Sequence, residues 1–384
     1  MQFELATAAR VIFGAGSARS LGALAAEFGE RALVVTGKRP ERVAPQIDAI
    51  KASGLAAEIF PIGREPTLDD AREGVRRAEA HRADVIIGIG GGSPLDAGKA
   101  IAMLVRNGGD PLDSIEVIGR GKPILEPSLP YIAVPTTAGP GAEVAKNAVL
   151  RSPEHGIKAS LRSPLMLPRV ALVDPLLTHG MPPEVTAATG LDALTQVLEA
   201  FVSNAASPLT DPYCRDGLGR ASRALRVAYR DGSNAAARED MALVSLFGGL
   251  ALANAKLGAV HGLAGPIGGV CEAPHGAVCA RLLAPVIATN VSALRSRDPA
   301  SPALARFAEA ARLLTGSAVA SVEDGVAWIR DLCADLAVPD LRAYGLREAD
   351  IPSIVAAAQR SSSMKGNPLP LTDAELLAVM ERSY

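Results

Sequence analysis

The first half of the chain alternates short apolar runs with longer amphipathic ones. RALVVTG (31–37) is a continuous apolar run closed by glycine, the pattern of a strand buried on both faces. AAEIFPI (56–62) is a second, weaker run of the same kind. DDAREGVRRAEAHR (69–82) gathers its charges on one helical face. ADVIIGIGGGSPLDAGKAIAML (83–104) reads as strand, glycine-rich turn and helix. LPYIAVPTTAG (129–139) and RVALVDP (169–175) are further strands, the first running into a turn. This alternation predicts a parallel sheet covered by helices on both faces.

From PPEVTAATGLDALTQVLEAFV onward the pattern changes, and β-branched clusters thin out. Residues 235–258, 301–314 and 321–336 carry helical periodicity. THGMPPE, around 179–183, supplies breakers and then a helix start. The expected architecture is an α/β domain over residues 1–181, Rossmann-like with a parallel sheet, followed by an all-α helical domain over residues 182–384.

Composition narrows the function classes. Of 384 residues, 48% are apolar but only one is Trp, five Tyr and seven Phe, so Ala, Leu and Val must fill the interior. The formal net charge is −2 with both signs mixed along the chain, and no basic patch or aromatic ladder stands out, so nucleic acid is not an expected partner. Cys214, Cys271, Cys279 and Cys333 form no CxxC pair and read as buried free thiols in a reducing compartment. The start lacks the basic end and apolar stretch of a leader, and no uninterrupted apolar run approaches about twenty residues. A cytoplasmic protein with no membrane partner is expected.

Four stretches carry candidate chemistry. In GIGGGSPLDAGKA (88–100), Gly91 and Gly92 let a backbone approach a phosphate, Ser93 can donate a hydrogen bond, and the helix that follows aims its amides at an anion. Asp96 and Lys99 follow on the first turns, as ligand contacts or as capping and solvated groups. Thr136 and Thr137, in PTTAG, end the next strand where open α/β sheets bind ligands. In GLDALTQVLEAF (190–201), Asp192 and Gln196 share a helix face. His261 and His275 lie in Gly/Ala-rich surroundings, each followed by glycine. One carboxylate and two imidazoles make a reasonable divalent-metal set with an open position; taken singly, each has an ordinary reading as a cap or a satisfied core side chain.

Together, VIFGAGS, GIGGGSPLDAGKA, VPTTAGPGAEV, ALVDPLLTHGMPPEVTAATGLDALTQVLEA, AVHGLAGPIGGVCEAPHGAV and MKGNPLPLT resemble the iron-containing (group III) alcohol dehydrogenases. Their superfamily also includes glycerol dehydrogenase and maleylacetate reductase. The resemblance runs nearly end to end and implies a dehydroquinate synthase-like fold. It implies a metal-dependent, NAD(P)-linked alcohol dehydrogenase or carbonyl reductase working by reversible hydride transfer on a small alcohol or carbonyl substrate. A homodimer or larger homo-oligomer is also implied. By this resemblance Gly91, Gly92 and Ser93 hold the cofactor pyrophosphate, Thr136 and Thr137 line the adenine and ribose side, and Lys158 contacts cofactor near the nicotinamide. Asp192, His261 and His275 are the implied ligands of Fe2+ or Zn2+ and the catalytic set.

The chain departs from the family pattern at informative places. Gln196 stands where the iron-dependent pattern has histidine; an amide oxygen is a weaker ligand, here an optional fourth one. Gly265 replaces a second histidine thought to assist proton transfer, and with Leu263 and Ile267 it suggests a roomier apolar lining. Pro140 replaces a threonine in PTTAGTG. Gly37 ends the first long strand where NAD-preferring members often carry Asp. Glycine there neither binds ribose hydroxyls nor repels a 2′-phosphate, and Lys38, Arg39 and Arg42 follow closely. NADP(H) is therefore expected at least to be accepted. Two other readings stand beside this one: a metal-independent oxoacid reductase like maleylacetate reductase, and a non-catalytic dinucleotide-binding protein.

Overall fold

A computed structural model describes residues 3–384. The α/β unit spans Ala6–Thr137 and Gly141–Thr178. Its strands are β1 (Arg10–Phe13), β2 (Arg31–Gly37), β3 (Ala56–Ile62), β4 (Val85–Gly90), β5 (Tyr131–Pro135), β6 (Asn147–Ser152), β7 (Ile157–Arg162) and β8 (Val170–Val173). Its helices are α1 (Leu21–Ala26), α2 (Ala44–Ala52), α3 (Leu68–His81), α4 (Gly92–Asn107) and the short α5 (Pro111–Ser114). Six strands form one parallel sheet in the order β1-β8-β5-β4-β2-β3, while β6 and β7 form a separate antiparallel hairpin.

The strands are apolar throughout because both faces are covered. Val34, Ile87, Ile132 and Leu172 pack on one face with Leu21, Leu24 and Ile50 of α1 and α2. Val35, Ile86, Tyr131 and Ala133 face the other way onto Leu95 and Ile101 of α4. Strand order reverses between β2 and β4. Their carboxyl ends form the kind of crevice where open α/β sheets bind ligands.

The helical unit contains His179–Tyr384 and also Ala138–Pro140. Its helices are α6 (Pro183–Val202), α7 (Asp211–Arg230), α8 (Ala235–Ala255), α9 (Ala259–Val270), α10 (His275–Arg297), α11 (Pro302–Thr315), α12 (Val322–Asp335), α13 (Ile351–Ala358) and α14 (Asp373–Ser383). Among the described residues one helix, α10, is by itself long and apolar enough to cross a membrane by length and composition. However, 83% of its apolar window is buried inside the protein, as befits a core helix. It packs against α6, α9 and α14.

Candidate functional site

The glycine-rich turn forms as the sequence predicts. β4 ends at Gly90, whose φ of 156° favours glycine, and a Cβ there would meet the Pro94 ring at 2.7 Å. Gly91 caps α4 without a side chain, so no side-chain oxygen occupies the amides that open the helix. The Thr136 N–H donates to the Gly90 carbonyl at 2.9 Å. A Cβ on Gly91 would meet Thr137 Cγ2 at 3.3 Å. Gly37, Gly91, Gly92, Ser93, Thr136 and Thr137 thus stand at the carboxyl ends of the adjacent strands β2, β4 and β5.

Asp96 and Lys99 face inward from α4. Asp96 accepts the Val149 N–H of β6 at 3.1 Å, and Lys99 Nζ donates to the carbonyls of Ala142 and Asn147 at 2.7 Å each. Lys99 is fully buried, so the solvated reading of that side chain is replaced by a structural one: it ties α4 to the segment before β6. Lys158, on β7, makes a 2.6 Å ion pair with Glu65.

The second set comes together on three helices. Asp192 lies on α6, His261 in the first turn of α9, and His275 at the first position of α10. Asp192 Oδ1 is 3.3 Å from His261 Nε2 and 4.0 Å from His275 Nε2. Cys279, one turn beyond His275, adds its sulfur, 3.9 Å from His261 Nε2. Ligand atoms of all four residues lie within 4.8 Å of one another. Asp192 and Cys279 are buried, whereas the His275 side chain is 42% exposed, so the set opens to solvent on that side.

The glycines that follow both histidines have a packing reason. A Cβ on Gly276 would overlap the Ala188 carbonyl of α6, so only glycine lets the start of α10 press onto that backbone. A Cβ on Gly262 would meet Met364 Cε at 2.8 Å. The C-terminal MKGNPLPLT segment lies against the same place. Asn367 Oδ1 accepts the Ala259 N–H at 3.1 Å, and its amide is paired with Asn290. That segment sets the start of α9 and hence His261.

Glu199, two turns after Asp192 on α6, is a buried partner of His261 that the motif reading missed. Its Oε2 is 2.6 Å from His261 Nδ1, and it also accepts the backbone N–H groups of Val260 and His261 at 2.7 and 3.3 Å. The i, i+7 spacing from Asp192 was the available signal. With Nδ1–H donated to Glu199, His261 turns a lone pair at Nε2 toward Asp192 Oδ1. Two acceptors at 3.3 Å require a cation or a proton between them, so the donor set fits a divalent metal.

The buried charges of the set act strongly on one another. Burial works against ionised Asp192, but the two histidines and the Gln196 side chain hold its carboxyl below the ordinary value. Burial likewise works against the Cys279 thiolate, and His275 and His261 outweigh it, holding the thiol low. The buried Cys333 thiol, by contrast, is pushed up to about 11 by burial. His261 is raised well above its usual value: burial opposes this, but Cys279, Asp192 and Glu199 prevail.

The buried Gln196 Oε1 has no hydrogen-bond partner and faces Gly248. Gly265 lies on α9 with open space where a side chain would start. Leu263 and Ile267, expected as lining, are instead fully buried in the helical core, because the 3.6-residue period turns them away from Gly265.

Residues 8–175 match the family of iron-containing alcohol dehydrogenases, and residues 186–384 match the C-terminal part of the Fe-containing alcohol dehydrogenase family. The chain is 35% identical to 1,3-propanediol dehydrogenase of Klebsiella pneumoniae over 93% of its length and 92% of the relative's. It is 31% identical to sulfoacetaldehyde reductase of Bilophila wadsworthia over the whole of both. The crystal structure of a 1,3-propanediol oxidoreductase superposes with a TM-score of 0.93 at 32% identity, covering both chains fully. The chain therefore belongs to the iron-containing alcohol dehydrogenase family, as an oxidoreductase acting on CH–OH groups with NAD(H) and a divalent metal.

Proposed function

We propose that the chain interconverts a small primary alcohol and its aldehyde, with the metal held by Asp192, His261 and His275 and the dinucleotide by the turn at Gly91, Gly92 and Ser93. The convergence of the Asp192, His261 and His275 donor atoms around one point is the observation that carries this reading. When bound, the ion supplies a Lewis acid for the substrate oxygen and the nicotinamide gives or takes the hydride.

The chain's own residues do the placing. Glu199 fixes the tautomer and the ring plane of His261 through Nδ1, leaving Nε2 to face the ligand set. Asp192 contributes negative charge where a neutral donor would bind a cation more weakly. The exposed edge of His275 leaves the approach for the substrate oxygen. Position 265 holds no side chain to carry a proton, so exchange at the substrate oxygen falls to water on the His275 side. In the α/β unit, residues 1–181 by this reading, Thr136 and Thr137 line the cofactor beside Gly91. Asp96 acts there by holding β6 in place, and Lys158 reaches the cofactor only by leaving Glu65. Gly37 gives room for a 2′-phosphate, which exposed Lys38, Arg39 and Arg42 would pair with, so NADP(H) is accepted. A homo-oligomer in the cytoplasm is the proposed working form, and light scattering on the purified protein measures its size.

The substrate class follows from relatives named for 1,3-propanediol and sulfoacetaldehyde. The test is nicotinamide-linked turnover of 1,3-propanediol, simple primary alcohols and sulfoacetaldehyde, before and after metal stripping. Loss on stripping and recovery on adding Fe2+ or Zn2+ is the expected result; full activity in a folded, metal-free sample overturns it.

A further inference from the structure

We infer that Cys279 is itself a metal ligand, so that the chain binds its ion with one oxygen, two nitrogens and one sulfur. The inference rests on the metal reading of Asp192, His261 and His275, and it adds the residue that makes up for Gln196.

Spacing puts the sulfur there. His275 and Cys279 are four residues apart on α10 and share its face. The sulfur lies 3.9 Å from His261 Nε2, the ring nitrogen that Glu199 leaves free. Around a tetrahedral ion with N/O bonds near 2.0–2.1 Å and an S bond near 2.3 Å, donor atoms stand roughly 3.3–3.6 Å apart. The Asp192–His261 edge is 3.3 Å and the Asp192–His275 edge 4.0 Å. The half-exposed His275 ring can close the wider Asp192–His275 edge, and a small rotation of the Cys279 side chain the 3.9 Å edge to His261.

The Gln196 oxygen, its ligating atom, faces Gly248 and has no hydrogen-bond partner. Among the four cysteines, Cys214, Cys279 and Cys333 are buried and Cys271 is not. Cys333 Sγ instead points at the Ala280 carbonyl.

Coordination would replace the Cys279 S–H bond by a metal–sulfur bond, the thiol proton passing to solvent. A thiolate in the set favours zinc-like ions over the harder donor sets that suit iron. Four protein donors still allow a substrate oxygen as fifth ligand on the open His275 side.

The test is titration of the metal-stripped, full-length protein with Co2+, read by absorption. One equivalent should give the visible ligand-field bands of a bound ion together with a near-ultraviolet sulfur-to-cobalt charge-transfer band. Cys279→Ser should keep the visible bands, lose the near-ultraviolet band and bind at least tenfold more weakly; Cys271→Ser should keep both. Visible bands without the charge-transfer band in the unmutated protein overturn the role of Cys279 and leave the metal site standing. A band that follows Cys271 overturns it as well. Failure of the folded protein to bind Co2+ at all overturns the metal reading and this inference with it. The unmutated protein alone decides the matter if Cys279→Ser does not fold.

Discussion

Glu199 Oε2 lies 2.6 Å from His261 Nδ1, and the same carboxylate accepts the backbone N–H groups of Val260 and His261. One buried side chain thus fixes both the ring and the backbone of a proposed ligand. Carboxylates placed behind a metal-bound histidine raise its basicity and hold its tautomer. Glu199→Gln keeps the shape and removes the charge. Metal retention should fall about 10- to 100-fold, the usual cost of losing such a partner. Competition with a chromogenic chelator measures it, and unchanged retention would show that Glu199 serves only the backbone of α9.

Gly276 and Gly265 should respond very differently to alanine. At Gly276 an added methyl overlaps the Ala188 carbonyl, a backbone atom that cannot swing aside. Gly276→Ala should cost roughly 1–3 kcal/mol or more and displace His275, lowering metal content with stability. At Gly265 the added methyl meets nothing within 4 Å beyond its chain neighbours, but Pro266 follows inside the helix and crowds the Cβ of the residue before it. Gly265→Ala should therefore be close to neutral, within about 1 kcal/mol, the gain in helix propensity being offset by that crowding. Thermal unfolding of the two variants side by side, with metal analysis, checks the difference.

These cases show how far the sequence could be read. The sheet strands with continuous apolar runs, such as RALVVTG and DVIIGIG, were legible because burial on both faces leaves no polar position to confuse the period. The hairpin β6–β7 was not, since NAVLRS and IKASLR are short and mix polar residues with a half-buried pattern. β1 was missed for the same reason, being only four residues long. In the helical unit, Asp192, His261 and His275 could be picked out by type and by resemblance, and they do converge. Glu199 was passed over because a glutamate inside a helix usually faces water; only the packing of α6 on α9 makes it buried. Cys279 was set aside because a lone cysteine carries no spacing signal until α10 is known to start at His275.

The α/β unit carries its own pH dependence. Burial, opposed by its own backbone N–H and by Lys99, pushes the Glu143 carboxyl up to about 7, and burial pushes Asp96 up to about 6. A carboxyl whose folded pKa exceeds its unfolded value binds more protons when folded. Its contribution to stability is therefore complete below the unfolded value of 4.5 and is lost as pH rises through about 7. At about 1.4 kcal/mol per unit, this amounts to a few kcal/mol between pH 5 and 8. Glu143→Gln cannot ionise, so its melting temperature should fall less over that interval than that of the unmutated protein. Melting curves at fixed ionic strength test it; equal slopes for the two proteins would refute the titration of Glu143.

Gly37 decides cofactor preference in the proposed scheme. It ends β2 beside the carboxyl end of β4, and a Cβ placed on it meets nothing within 4 Å, so a longer side chain fits without moving its neighbours. Gly37→Asp introduces a carboxylate that can accept from ribose hydroxyls and repels a 2′-phosphate. The unmutated protein should use NADP(H) at least as well as NAD(H) by kcat/KM. Gly37→Asp should lower kcat/KM for NADP(H) about 10- to 100-fold, or roughly 1.4–2.8 kcal/mol, mostly through KM, while leaving NAD(H) unchanged or improved. Arg39→Ala and Arg42→Ala should weaken NADP(H) alone, because NAD(H) has no phosphate for them to pair with. Initial-rate measurements with both cofactors across these four proteins separate the effects. A strong NAD(H) preference in the unmutated protein would show that the space at Gly37 is not read by the cofactor.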